Sequence, residues 1–233
     1  MPLVSPDAST AAGRSSGEVC HLLNRANARA TIFAVDADFM RFEELLAEEQ
    51  EAAGVQLYAW CLMPTHWHLV ARPDAPGGLT RLMRRLARRH TQLWHKVRGT
   101  RGQGHLYQGR YKAFAVQSDD HFLTVCRYVE RNPLRAGLVT RAADWRFGSL
   151  WRLGRRRVPP HPDPWPVPRP RRWAEVVDGA ETPAELEALR TSLARGRPFG
   201  DASWIRLTAA RFTLGSTMRP PGRPPRRNAT PES

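Results

Sequence analysis

Residues 55–73, VQLYAWCLMPTHWHLVARP, decide the fold class. Val55 to Met63 form a run of apolar and aromatic residues suited to a strand, Pro64 and Thr65 break it, and the run from His66 to Pro73 reads as a second strand. Two extended segments joined by so short a turn make an antiparallel hairpin. Because successive strand residues face opposite sides, His66 and His68 share one face and Trp67 takes the other. Two imidazoles at that spacing suit a shared divalent ion. They equally suit an ordinary pair of sheet histidines, and the triplet alone does not choose between these.

Upstream, VCHLLNRA from Val19 is a strand, and DADFMRFEELLAEEQEAA from Asp36 carries Phe39, Met40, Phe42, Leu45 and Leu46 near helical spacing until Gly54 ends it. Downstream, Leu79, Leu82, Met83, Leu86, Leu93, Trp94 and Val97 form the stripe of an amphipathic helix that His90 completes. The segment HLYQGRYKAFAVQ (105–117) is expected as a strand. A helix follows, N-capped by Ser118, burying Phe122, Val125, Cys126 and Val129 and ending at Asn132, where the next residue, Pro133, disfavours helical backbone. The order is strand, helix, strand, strand, helix, strand, helix. That is an α+β pattern, an antiparallel sheet flanked by helices.

The formal net charge of +14 points to a polyanionic partner, and all but Lys96 and Lys112 of the 36 basic residues are arginine, whose planar fork suits phosphate. No acid occurs from Ala75 through Ser118, and Arg81, Arg84, Arg85, Arg88 and Arg89 lie opposite the apolar stripe. A solvated helix face explains a charge run equally well. The complete absence of acids over this length favours phosphate contact. A basic groove of Arg84, Arg85, Arg88, Arg89, Arg110 and Lys112, with Trp94, Tyr107 and Tyr111 nearby in sequence, is the expected DNA-binding surface. Cys20, Cys61 and Cys126 form no CxxC pair, so neither a disulfide framework nor a cysteine zinc site is expected. No stretch approaches the apolar length of a membrane span, and the first residues lack a hydrophobic signal core. A cytoplasmic, nucleoid-associated protein is the expectation.

Tyr128 and Asn132 are four residues apart on the helix after Ser118, at the border of its buried stripe. A boundary tyrosine packing its ring and a helix-ending asparagine are the plain alternatives to a chemical role. The expected divisions are a leader (1–17), a main domain (18–151), a Pro/Arg-rich linker (152–178) with seven prolines between Pro159 and Pro170, a small helical region (179–218) and a basic tail (219–233). The tail run RPPGRPPRR superficially resembles an AT-hook, although a solvated basic tail fits it better.

The strings YAWCLMPTHWHLVARP, GLTRLMRRLARRHTQLW, YQGRYKAFAVQSDDHFLTVCRYVERNPLRAGLV and DWRFGSLW together resemble the REP-associated tyrosine transposases, members of the HUH single-strand DNA endonucleases, from about Val19 to Trp151. The resemblance implies the HUH, ferredoxin-like fold, with 18–151 as catalytic domain. It implies His66 and His68 as metal ligands, Tyr128 as nucleophile, Asn132 as third ligand, Mg²⁺ or Mn²⁺ as the ion, and single-stranded or hairpin DNA from REP-like palindromes as substrate. Cleavage would pass through a 5′-phosphotyrosine, in a monomer or a homodimer. Cys20, Thr65 and the Arg25–Asn27 triplet depart from the usual Tyr, Asn and Arg-Gly-Asn. The rival readings are a noncatalytic nucleic-acid-binding protein using the same basic face and a phosphodiesterase that activates water.

Overall fold

The computed structural model describes residues 17–153, 155 and 159–219. Residues 1–16 of the expected leader and the tail from residue 220, with most of its AT-hook-like run, lie outside them. Four strands, β1 (Val19–Arg25), β2 (Val55–Met63), β3 (His66–Pro73) and β4 (Lys112–Val116), form one sheet in the order β2-β3-β1-β4. All neighbours are antiparallel, and the register pairs Leu23 with His68 and Cys61 with His68. The fold is therefore the expected α+β arrangement.

Alternation along the strands builds two cores. One face presents Leu22, Trp60, Leu62, Trp67 and Leu69 to Phe42 and Leu46 of α1 (Asp36–Ala53) and Leu82 and Leu86 of α2 (Gly78–Arg98). The other presents Val19, Ala59, Cys61, Val70 and Phe114 to Phe122, Val125, Cys126 and Val129 of α3 (Asp120–Glu130). Gly54 closes α1 with φ of 62°, the left-handed conformation that a residue without Cβ adopts at least cost. All three cysteines are buried, and none forms a disulfide.

Three expectations are corrected. The N-cap of α3 is Asp119, whose carboxylate accepts from the His121 amide, not Ser118. The helix stops at Glu130, and the chain makes one more turn, α4 (Asn132–Arg135), with Pro133 near its start. Pro133 has no N–H for the Val129 carbonyl; the Asn132 side-chain amide donates to that oxygen at 3.2 Å and to the Tyr128 carbonyl at 3.0 Å. Only Lys112–Val116 of 105–117 is strand, since Gly104 and Gly109 carry φ of 91° and 148°. Tyr107 turns into the core, where its hydroxyl meets Trp67 Nε1 at 2.9 Å and His90 Nδ1 at 2.6 Å.

The stretch 159–172, expected within a linker, lies along the edge strand β2. Asp163 accepts from the Leu57 amide at 2.7 Å, and Trp165 donates to the Tyr58 carbonyl at 3.0 Å. Such pairing covers an edge that would otherwise present unpaired amides. Beyond it follow α6 (Trp173–Asp178), α7 (Pro183–Arg195) and α8 (Ala202–Arg211), while α5 (Ser149–Arg152) precedes it. Within α5, Arg152 forms a buried ion pair with Glu43 of α1, which also accepts from Trp60 Nε1 at 3.3 Å. Removing one member of a buried pair leaves the other charge uncompensated, which costs about 3–5 kcal/mol. Urea denaturation of Arg152→Met is therefore expected to show a loss of that size, with much of it recovered in the Glu43→Gln/Arg152→Met double variant.

Candidate active site

His66 and His68 lie on the sheet face that α3 covers. Their ring centroids are 5.1 Å apart, and the Tyr128 ring lies 6.0 Å from His68, edge to face. The structure thus brings both histidines and the tyrosine together from segments sixty residues apart in sequence. Thr65 Oγ1 bonds His66 Nδ1 at 3.0 Å, so one of the departures from the family pattern bears directly on a histidine. On His68, Nδ1 is bonded by His21 Nε2 at 2.9 Å. Each ring is held through Nδ1, and neither Nε2 has a hydrogen-bond partner among the described residues.

Burial drives the His66 pKa down to about 4, with Arg25 and Arg135 adding to it, and holds His68 well below the ordinary value. Neutral rings with a free Nε2 are the form that ligates a metal. Among the described residues there is no cluster of three His, Cys, Asp or Glu side chains arranged to hold an ion. Asn132, expected from the resemblance as a third ligand, accepts from Arg135 through Oδ1 at 2.9 Å, which leaves the second lone pair of that amide oxygen unused by this bond.

Arg135 also lies 4.3 Å over the Tyr128 ring and pairs with the buried Glu181 at 2.8 Å. Burial pushes the Tyr128 hydroxyl above the ordinary phenol value, while Arg135 works against that shift. A cavity of about 570 Å³ opens beside Tyr128, lined by Arg25, Arg110, Lys112 and, from α7, Arg190. Arg110 and Lys112 thus line the same cavity as the tyrosine. Arg25, Arg135, Arg190 and His21 were not identified from sequence. Arg25 ends β1 and shares a face with His66, a parity readable from the strand; the positions of Arg135 and Arg190 carry no sequence signal.

The helix α2 arginines divide into two sets. Arg85 and Arg89 turn toward α1: Arg85 pairs with Glu49, and Arg89 reaches Glu48 and Glu49 at 2.7 Å each. Burial of Glu49 would raise its pKa, but the two guanidiniums outweigh it and hold the carboxyl below its usual range. Arg84 and Arg88 remain exposed, and Arg88 lines a second cavity of about 630 Å³ with Asn24 and Gln108, which also line the first. Tyr107 is committed to the core, and Trp94 donates to the Ile32 carbonyl at 3.2 Å.

Residues 16–132, half of the chain, match the family model described as "Transposase IS200 like". The chain belongs to this IS200-like transposase family. The matched segment ends at Asn132. A solved structure described as a REP-associated tyrosine transposase bound to a REP hairpin is 16% identical, with a TM-score of 0.52 over 72% of this chain and 88% of that one. The likeness shows the shared fold. A Deinococcus radiodurans protein solved as a candidate transposase, 20% identical over 54% of this chain and 88% of its own, has a TM-score of 0.37 and adds nothing to the fold argument. No curated protein matches. Among the described residues, no helix of this transposase is long and apolar enough to cross a membrane.

Since Glu49 is fully covered, Arg85→Ala/Arg89→Ala leaves a buried carboxylate unpaired, a loss of about 1–3 kcal/mol. Arg84→Ala/Arg88→Ala should stay within about 0.5 kcal/mol of the parent. Chemical denaturation of the two double variants side by side checks the division.

Proposed function

We propose that this transposase cuts and rejoins single-stranded DNA at hairpin-forming palindromes, with Tyr128 as nucleophile. The supporting observation is the placement of the Tyr128 ring 6.0 Å from His68, at the wall of a cavity lined by Arg25, Arg110, Lys112 and Arg190. The neighbour of like fold is described as bound to a REP hairpin, which supports the same substrate class here.

In the forward step a Tyr128 Oη–P bond forms and the P–O3′ bond breaks. The phenol proton leaves, the departing oxygen takes up a proton as a 3′-hydroxyl, and the 5′ side stays on the enzyme as a phosphotyrosine. A second 3′-hydroxyl reverses the step and reseals DNA without ATP, because the covalent bond conserves the phosphodiester's energy. A divalent ion, Mg²⁺ or Mn²⁺, held by His66 and His68 with Asn132 as third ligand, would polarise the scissile phosphate and offset charge on its non-bridging oxygens.

The chain's own side chains do the rest. Arg135, stacked on the Tyr128 ring, favours the phenolate form. Arg25, Arg110, Lys112 and Arg190 attract the strand's phosphates into the cavity. Arg84 and Arg88 extend this field along α2, whereas the charges of Arg85 and Arg89 are offset by Glu48 and Glu49 of α1.

Incubating the protein with a labelled hairpin carrying single-stranded flanks and Mn²⁺ tests the reading. The wild type is expected to give a denaturant-stable protein–DNA adduct, and Tyr128→Phe, His66→Ala and His68→Ala none. Binding without any adduct would favour the noncatalytic alternative, and cleavage surviving Tyr128→Phe would favour water as nucleophile. Arg190→Ala should leave the fold unchanged and lower the slope of log affinity against log salt by about 0.7, the share of one phosphate contact on a single strand. A fluorescence-anisotropy salt series measures it.

A further inference from the structure

His21 is fully buried in β1, the strand between β3 and β4. The register sets it opposite Val70, so its diagonal neighbour on the same face is His68. Its ring packs 4.9 Å from Phe114 of β4 and 6.4 Å from Tyr128, edge to face with the tyrosine. Nε2 meets His68 Nδ1 at 2.9 Å, and Nδ1 has no partner among the described residues.

A neutral imidazole carries one N–H and one lone pair, so this bond has two possible arrangements. If His21 Nε2 donates, His68 carries its own proton on Nε2, and that nitrogen cannot bind a cation. If His68 Nδ1 donates, His68 Nε2 holds a lone pair directed away from His21, and the remaining His21 proton lies on its unpartnered Nδ1. The burial of an unpaired polar nitrogen costs free energy, and a core position opposite Phe114 would be filled more cheaply by an apolar ring.

We infer that His21 is a positioning residue: it accepts the Nδ1 proton of His68, fixing that ring with Nε2 presented to a divalent cation, and holds His68 and Tyr128 at their spacing through one side chain. The inference rests on the reading of His66 and His68 as metal ligands given above. A histidine ligand whose second nitrogen is held by a fixed acceptor keeps its ring orientation and gains basicity, and loss of such an acceptor typically weakens metal binding 10- to 100-fold.

Titration calorimetry of the full chain with Mn²⁺ alone tests this on the wild type, His21→Phe and His21→Gln. Phenylalanine keeps a ring against Phe114 and removes the acceptor; glutamine restores a carbonyl acceptor. Expected are a roughly 10- to 100-fold weaker Mn²⁺ affinity for His21→Phe, recovery of most of it in His21→Gln, and metal-free melting temperatures that do not follow this order. Equal affinity in wild type and His21→Phe overturns the inference while leaving the metal-site reading intact. Wild type that binds no Mn²⁺, like His68→Ala, overturns both. Should His21→Phe fail to fold, long-range ¹H–¹⁵N spectra of the wild type with Mg²⁺ decide: a proton on His68 Nδ1 supports the inference, and one on Nε2 overturns it.

Discussion

The site depends on α3 lying across the sheet face that carries His66 and His68. An eleven-residue helix has little stability of its own, so its placement comes from tertiary contacts. Phe122, Val125, Cys126 and Val129 supply the apolar contact with the sheet. Glu130, fully enclosed at the end of the same helix, supplies the polar one: it accepts from Ser149 Oγ and, at 2.6 Å, from Trp173 Nε1. Burial pushes its pKa up to about 7, opposed by those two hydrogen bonds. One carboxyl thereby joins the tyrosine helix to α5 through Ser149 and to α6 through Trp173.

A second set of contacts fixes the rotation of that helix. Arg127, Arg131 and Arg135 are spaced four residues apart along α3 and its continuation. They pair with Glu185 at 2.6 Å and with Glu181 at 3.2 and 2.8 Å respectively. The C-terminal region is therefore packed on the outer side of the tyrosine helix, and α7 brings Arg190 to the cavity beside Tyr128. The Pro-rich stretch before it follows β2 closely enough for Asp163 and Trp165 to pair with the backbone of that edge. The segment outside the family match is thus part of the wall that shapes access to the tyrosine.

The strong positive charge is divided between architecture and site. Arg85, Arg89, Arg98 and Arg152 are each paired with a carboxylate of α1, at Glu49, Asp38 or Glu43, which ties the two helices and the turn at Ser149 together on the face opposite the site. Arg25, Arg110, Lys112 and Arg190 converge instead on the cavity by Tyr128. Net charge describes the long-range field of the molecule; the packing decides which cations line the cavity within it.

The sequence by itself determined the hairpin, the helix stripes and the strand parity. A period of two and a period of 3.6 are local properties, and they sufficed to set His66 beside His68, to order the elements of an α+β sheet and to place Tyr128 at the edge of a buried stripe. His21 was readable only as a histidine in an apolar strand, because its partner lies 47 residues away and the pairing register is a tertiary fact. The different surroundings of Arg85 and Arg110, the burial of Tyr107 and the arrival of Arg190 at the tyrosine were likewise decided by packing: charge and aromatic character are visible in the chain, but what a side chain faces depends on which distant element covers it.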